Sequence, residues 1–164
     1  MKKQRKNTEK EYREAIKINP DYAYTHNNLG NLLQNLNRYE EAKKEFREAI
    51  KINPDYAYTH NNLGNLLKNL KCYEETEEEY REAIKINPYY AYTHNNLGAL
   101  LADLKRYEEA EKEYREAIRI NPNYADAHNN LGILLKNLKR YEEAEKEFRE
   151  AIKINPDYAY AHNN

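Results

Sequence analysis

Apolar residues along the chain fall into short stripes at helical spacing, set off from one another by polar punctuation. In 23–56, Leu29, Leu32, Leu33 and Leu36 form one stripe that ends near Asn37 and Arg38. A second stripe follows in Tyr39, Ala42, Phe46, Ala49 and Ile50, and closes at Asn53-Pro54. The segment therefore predicts two helices. The residue before a proline is pushed out of the α region, so the second helix should stop at Asn53. Pro54 then suits the first turn of the next helix, where its missing N–H is not needed. Asp55 would add negative charge near that N-terminus. Tyr89 takes the place of this acid one segment later, which predicts a slightly weaker helix start.

The same pattern recurs. Pro20, Pro54, Pro88, Pro122 and Pro156 are each 34 residues apart, as are Gly30, Gly64, Gly98 and Gly132. Punctuation at a fixed period marks a repeat protein. Four full units are read at 23–56, 57–90, 91–124 and 125–158. Residues 1–22 read as the second-helix half of a preceding repeat. Residues 159–164 read as the start of a truncated further repeat, so the chain is expected to be cut from a longer array. Gly30 and Ala42 are expected to let the two helix backbones approach closely. Thr76 stands at the Ala42 position of the second unit, where it predicts a small local cost and no function. Two short helices cannot bury their own stripes, so neighbouring units must stack.

Composition narrows the functional classes. Charged residues make up 34% of the chain, yet the formal net charge is -1. That balance gives no reason to expect nucleic acid or an anionic membrane as partner. The first ten residues are locally basic (Lys2, Lys3, Arg5, Lys6 and Lys10 against Glu9) and read as a solvated terminus, with a polybasic contact site as the alternative. A single cysteine, Cys72, excludes an intrachain disulfide and makes a reducing, cytoplasmic location the default. No apolar run approaches the ~18 residues that span a bilayer.

Candidate chemistry is sparse. One histidine per unit (His26, His60, His94, His128, His162) resembles a metal ladder. Packed helices lie ~8–10 Å apart, however, while zinc needs nitrogens ~2 Å from one centre. No Cys, Asp or Glu stands beside each His at ligand spacing, so packing is the reading and no metal or cofactor is expected. Cys72 has no evident activating base. It sits in a turn where other units carry Arg, which reads as drift, with a reactive surface thiol as the alternative. There is no phosphate-binding glycine loop and no nucleophile elbow. An active site would break the near-uniformity of the units, so no catalytic residue is assigned. Stretches such as EEAKKEFREAIK give opposite-charge pairs one turn apart, which favour solubility and add a few tenths of a kcal/mol each.

Leu29-Gly30, Leu33, Tyr39, Ala42, Phe46, Ala49 and Pro54 recur in type and spacing in every unit, with Thr76 for Ala42 the exception, and in this the chain resembles the tetratricopeptide repeat (TPR) family. The family's usual Trp is replaced by the histidines, and its usual turn Gly by Asn37, Lys71, Lys105 and Lys139. The resemblance implies an all-α fold, a right-handed α-solenoid superhelix of stacked antiparallel helix pairs, with first helices on the concave side.

First helices carry Tyr and Asn away from the leucine stripe, although Lys and Glu are better helix formers than Asn. The expected groove residues are Tyr24, Asn27, Asn28, Asn31 and Asn35, then Tyr58, Asn61, Asn62, Asn65 and Asn69, then Tyr92, Asn95 and Asn96, then Asn129 and Asn130, with Tyr160 beginning another set. Asn offers two donors and an acceptor, so an Asn column suits the main chain of an extended peptide, and Tyr supplies flat amphipathic contact area. Asn28 and its equivalents match a position that also carries Asn in peptide-gripping family members, including the asparagine ladder of O-linked sugar transferases. The basic residues of the family's carboxylate clamp are absent, which argues against acidic C-terminal tails. The expected function is a non-enzymatic interaction scaffold whose partner is a protein or extended peptide. Beside it stand inter-helix hydrogen bonding as the role of these Asn, head-to-tail self-association through uncapped ends (Tyr12, Ala15 and Ile16 at one of them), and the targeting arm of a larger enzyme such as a glycosyltransferase.

Overall fold

A computed structural model describes residues 2–157 of the chain, with side chains from residue 7 onward. Tyr160, His162, Asn163, Asn164 and the repeat start at 159–164 lie outside the described residues, as do the side chains of Lys2, Lys3, Arg5 and Lys6. The described residues form nine α-helices and two compact units. The first unit holds α1 (Lys2–Ile18), α2 (Ala23–Asn35), α3 (Tyr39–Ile52), α4 (Ala57–Asn69) and α5 (Tyr73–Ile86). The second holds α6 (Ala91–Asp103), α7 (Tyr107–Ile120), α8 (Ala125–Asn137) and α9 (Tyr141–Ile154). Each 34-residue segment is a helix pair, as its two stripes predict.

Each first helix ends in the same turn. The N–H of Arg38 reaches the Leu33 carbonyl at 2.9 Å and that of Asn37 reaches Gln34 at 2.9 Å, the paired bonds of a Schellman motif. This turn needs a left-handed residue. Asn37, Lys71, Lys105 and Lys139 supply it at φ of 59–63°, a conformation that suits glycine or asparagine better than lysine.

The Asn-Pro segments differ from expectation. Helix α4 begins at Ala57, not at Pro54, and has no acidic residue in its first turn. Pro54 instead occupies the second position of a β-turn in which the Asn53 carbonyl accepts the Tyr56 N–H at 3.3 Å. The Asn53 side-chain oxygen accepts the Asp55 N–H at 3.2 Å, closing an Asx turn inside it. Local turn chemistry outcompetes helix extension here, so Asp55 lies in the turn.

In the first unit α2 and α3 pack as an antiparallel pair, α4 and α5 as another, and α3 lies against α4. Leu29, Leu33, Ala42, Phe46, Leu63, Leu66 and Leu67 form its buried core. Tyr12 and Ile16 of α1 pack against that core and are not free apolar surface; Ile18 is the exposed one, at 85%. In the second unit α6 pairs with α7, α8 with α9, and α7 lies against α8. The glycines serve ring packing, not backbone contact. A Cβ at Gly30 would stand 2.7 Å from the Phe46 ring, and one at Gly64 2.6 Å from the Tyr80 ring. Thr76 is fully buried and its hydroxyl donates to the Cys72 carbonyl at 2.8 Å, which removes most of its expected cost.

Candidate functional site

The tyrosines and asparagines of the first helices divide into two sets. Tyr24, Asn28, Asn31 and Asn35 follow one another by four, three and four residues, which places them on one stripe of α2. Tyr24 is 51% exposed, Asn35 is exposed, and Asn28 and Asn31 are half-buried. The corresponding stripe of α4 is Tyr58, Asn62, Asn65 and Asn69. The side chains of Asn31, Asn35 and Asn69 make no hydrogen bond among the described residues.

The other set is buried. Asn27 has no exposed surface, and Asn61 and Asn95 are also buried, so these three do not line an open groove. Their work is between repeats. Asn62 Nδ2 donates to Asn27 Oδ1 at 3.0 Å across α2 and α4, and Asn130 Nδ2 donates to Asn95 Oδ1 at 3.0 Å across α6 and α8. Asn95 in turn donates to the Tyr124 hydroxyl at 3.4 Å. An amide column thus ties first helices to one another, the inter-helix role that sequence left as an alternative. Asn62 is buried by it, while Asn96, Asn129 and Asn130 remain half-buried. Asn65 accepts the Tyr80 hydroxyl at 2.7 Å.

Tyrosine rings collect at the N-terminal ends of the first helices. Tyr22 and Tyr24 have centroids 5.9 Å apart, Tyr56 and Tyr58 6.1 Å, Tyr90 and Tyr92 5.7 Å, and Tyr92 and Tyr124 4.9 Å. Tyr22, Tyr24 and Tyr56 flank an open depression of about 400 Å³ with Asp21 at its edge. Burial, with the neighbouring Tyr24, Tyr58 and Tyr22, pushes the Tyr56 phenol up.

In the second unit the stripe changes character. Ala99 and Ile133 stand where Asn31 and Asn65 do, and Asp103 stands where Asn35, Asn69 and Asn137 do. A cavity of about 290 Å³ opens between α6 and α8, and Tyr107 and Tyr114 of α7 close one side of it. Sequence reasoning passed over Ala99, Asp103, Ile133 and these two tyrosines. The available signal was a break in an otherwise uniform repeat at groove-facing positions.

The histidines form bridges. His26 Nδ1 lies 2.7 Å from Glu45 Oε2 and its Nε2 3.1 Å from the Pro20 carbonyl. His60 contacts Glu79 at 2.7 Å and Pro54 at 3.0 Å, and His128 contacts Glu147 at 2.6 Å and Pro122 at 3.1 Å. His94 lies 2.6 Å from Glu113. A carboxylate does therefore stand beside each of these histidines, supplied by the second helix and not by sequence neighbours. Carboxylate and carbonyl oxygens only accept, so at His60 and His128 two such partners call for the doubly protonated ring. Burial lowers the His60 pKa, but Glu79 and the Pro54 carbonyl outweigh it and the net shift is upward. Glu147 raises that of His128. Among the described residues no three His, Cys, Asp or Glu side chains are grouped to hold a metal. No helix there is long and apolar enough to cross a membrane. The Cys72 sulfur is half-buried against the first unit's core, 3.8 Å from the Leu70 carbonyl.

Known proteins share this architecture. A crystal structure of MamA superposes with a TM-score of 0.79 at 20% identity, covering 91% of this chain and 87% of that one. MamA from Desulfovibrio magneticus RS-1 gives 0.80 at 17% identity, covering 93% and 86%. PilF of Pseudomonas aeruginosa gives 0.81 at 24% identity, covering 98% and 79%. Likeness at such identities carries the fold alone, an all-α repeat solenoid. Comparison with curated proteins finds no match. The family model described as Tetratricopeptide repeat matches residues 55–123 and 89–157, and a second model of the same description matches 23–56. With those matches running without a gap from residue 23 to residue 157, the chain belongs to the tetratricopeptide repeat family.

Proposed function

We propose that this chain is a non-enzymatic scaffold that holds an extended segment of another protein along the tyrosine and amide stripes of its first helices. The observation that carries this reading is the split between the two asparagine sets. Asn27, Asn62, Asn95 and Asn130 are consumed by bonds between repeats. The side-chain amides of Asn31, Asn35 and Asn69 make no bond among the described residues and lie on the same stripes as the exposed Tyr24 and Tyr58. Asn31 sits mid-helix, where a lysine or glutamate would favour the helix more. An amide both donates and accepts, so a row of them matches a peptide main chain whatever its side chains. Recognition of that kind gives modest affinity and broad specificity. Tyrosine adds contact area at low entropic cost.

The test uses a pool of fluorescent extended peptides and fluorescence anisotropy. Wild type is compared with a variant carrying Asn31→Ala, Asn35→Ala, Asn69→Ala and Asn137→Ala, which leaves the inter-repeat amides in place. Circular dichroism first establishes that both are equally helical. Binding by wild type and a loss of about tenfold or more in the variant supports the reading. Equal binding by both would move the site off these stripes.

A further inference from the structure

Aromatic rings and a carboxylate meet at the N-terminal end of the α2 stripe. Tyr22 and Tyr24 are both about half exposed, and their ring planes are tilted by 45° to one another. With the half-buried Tyr56 they flank the depression of about 400 Å³, which Ala23, Ile52 and Asn53 also line and Asp21 edges. Ligand pockets begin at ~300 Å³, so this one has room for a single long side chain and its head group. No Lys, Arg or His lines it. The Asp21 side chain is exposed and makes no hydrogen bond or ion pair among the described residues. The lysines near the ends of α1 and α3 are held elsewhere, Lys17 by Glu14 at 2.8 Å and Lys51 by Glu48 at 3.1 Å.

The second unit shows the same position closed. Tyr92 and Tyr124 are the equivalents of Tyr24 and Tyr56, and their centroids lie 4.9 Å apart with Tyr124 buried. Tyr89 stands there in place of Asp21. Open space and a carboxylate therefore occur together in the first unit, and both are lost together in the second.

We infer that the depression of Tyr22, Tyr24, Tyr56 and Asp21 is a specificity site of the groove, and that it seats an arginine side chain of the bound segment. The inference rests on the reading of the first-helix stripes as a peptide site, since Tyr24 belongs to the α2 stripe. A guanidinium is planar and weakly hydrated, so its face stacks on a tyrosine ring while its edge donates to a carboxylate. The ring faces attract the cation, and the Asp21 carboxylate accepts a charge-assisted, two-pronged hydrogen bond. The aliphatic stem packs along Ile52 while the head stays wet. The Asn53 side-chain oxygen is already engaged by the Asp55 N–H at 3.2 Å, which leaves Asp21 as the anionic acceptor at this edge. A lysine ammonium is a compact, strongly hydrated charge that gains less from the rings. An acidic side chain would be repelled by Asp21.

The experiment compares three pools of extended peptides with the same randomised neutral flanks. One carries a central arginine, one a lysine, and one citrulline, which has nearly the shape of arginine and no charge. Affinities are measured for wild type, for Asp21→Asn, for Tyr22→Leu and for a control, Glu40→Gln, which removes one charge at the far end of α3 from Ile52. Asparagine already holds the turn position of Asp21 in the second unit, as Asn123, so Asp21→Asn should keep full helicity. Wild type is expected to prefer arginine over citrulline about tenfold, with lysine between them. Asp21→Asn should abolish the preference, Tyr22→Leu should reduce it severalfold, and Glu40→Gln should leave it intact. Equal binding of the arginine and citrulline pools by wild type, a preference that survives Asp21→Asn, or one that Glu40→Gln also removes, overturns the arginine site and leaves the groove standing. Lysine binding as well as arginine overturns the stacked guanidinium. Binding of no pool overturns the groove reading and this inference with it.

Discussion

Single residues that look like drift prove to be coupled to partners far away in sequence. Arg38 of the turn before α3 bonds Glu9 of α1 at 2.8 Å, and Arg140 bonds Glu111 of α7 at 2.6 Å. These arginines hold the two carboxylates below their usual range, outweighing the upward push of burial. Cys72 replaces the arginine in the second repeat, and the position that would face it holds Lys43 in place of a glutamate. Lys43 pairs instead with Glu75 at 3.3 Å. Cys72→Arg alone could meet only Glu75, which Lys43 and Arg47 already hold, and should gain little, whereas Cys72→Arg with Lys43→Glu should rebuild the bridge. A double-mutant cycle in urea should show a favourable coupling of about 0.5–1 kcal/mol; additive effects would refute the pairing. The histidine bridges set a pH dependence. His60 and His128 have folded pKa values above the unfolded value of ~6.5. Their contribution is complete below that pH and is lost as pH rises through the folded values. The urea midpoint should fall between pH 6 and pH 9, and by less in a His60→Gln, His128→Gln variant. A wild-type midpoint that is flat over this range would contradict the bridges. These bonds join residues 19 apart on different helices, so no local spacing rule reveals them.

At the scale of the element, each helix pair is set by its turn and by one ring under one glycine. The Schellman turn forces Lys71, Lys105 and Lys139 into the left-handed region, at ~1–2 kcal/mol for an L-residue. Glycine removes that cost and loses ~0.4–1 kcal/mol of it to unfolded-chain entropy. Lys105→Gly should thus stabilise the chain by about 0.5–1 kcal/mol in urea unfolding, and a destabilised variant would rule out the positive φ. Gly64→Ala drives a methyl to 2.6 Å from the Tyr80 ring, so a loss of about 1–3 kcal/mol is expected. An unchanged midpoint would show that the ring lies elsewhere. The helices themselves were legible in the sequence because leucine and alanine stripes at 3.6-residue spacing repeat without interruption. Their N-terminal boundaries were not: Asn-Pro-Asp reads equally as a helix start or as the β-turn it forms, and only the Asn53 hydrogen bonds decide between them.

For the molecule as a whole, the 34-residue period carried most of the fold, since glycine and proline at fixed intervals allow little but stacked helix pairs. The candidate site was half-legible. Asn27 and Asn28 are the same residue type side by side, yet one is buried in the tie between repeats and the other stays half-open. Asp103 and Ile133 escaped notice because a uniform array invites departures to be read as noise, although a binding surface is where an array would depart from uniformity. The central claim is that the first-helix stripes grip an extended chain, and side-chain NMR tests it most directly. With the amide and tyrosine resonances assigned, the extended-peptide pool is titrated into the protein. The account expects shifts at the side-chain amides of Asn31, Asn35, Asn69 and Asn137 and at the rings of Tyr24, Tyr58 and Tyr92, with the arginines of the second helices unmoved. Shifts confined to those arginines, or a spectrum that does not change at saturating peptide, would contradict it.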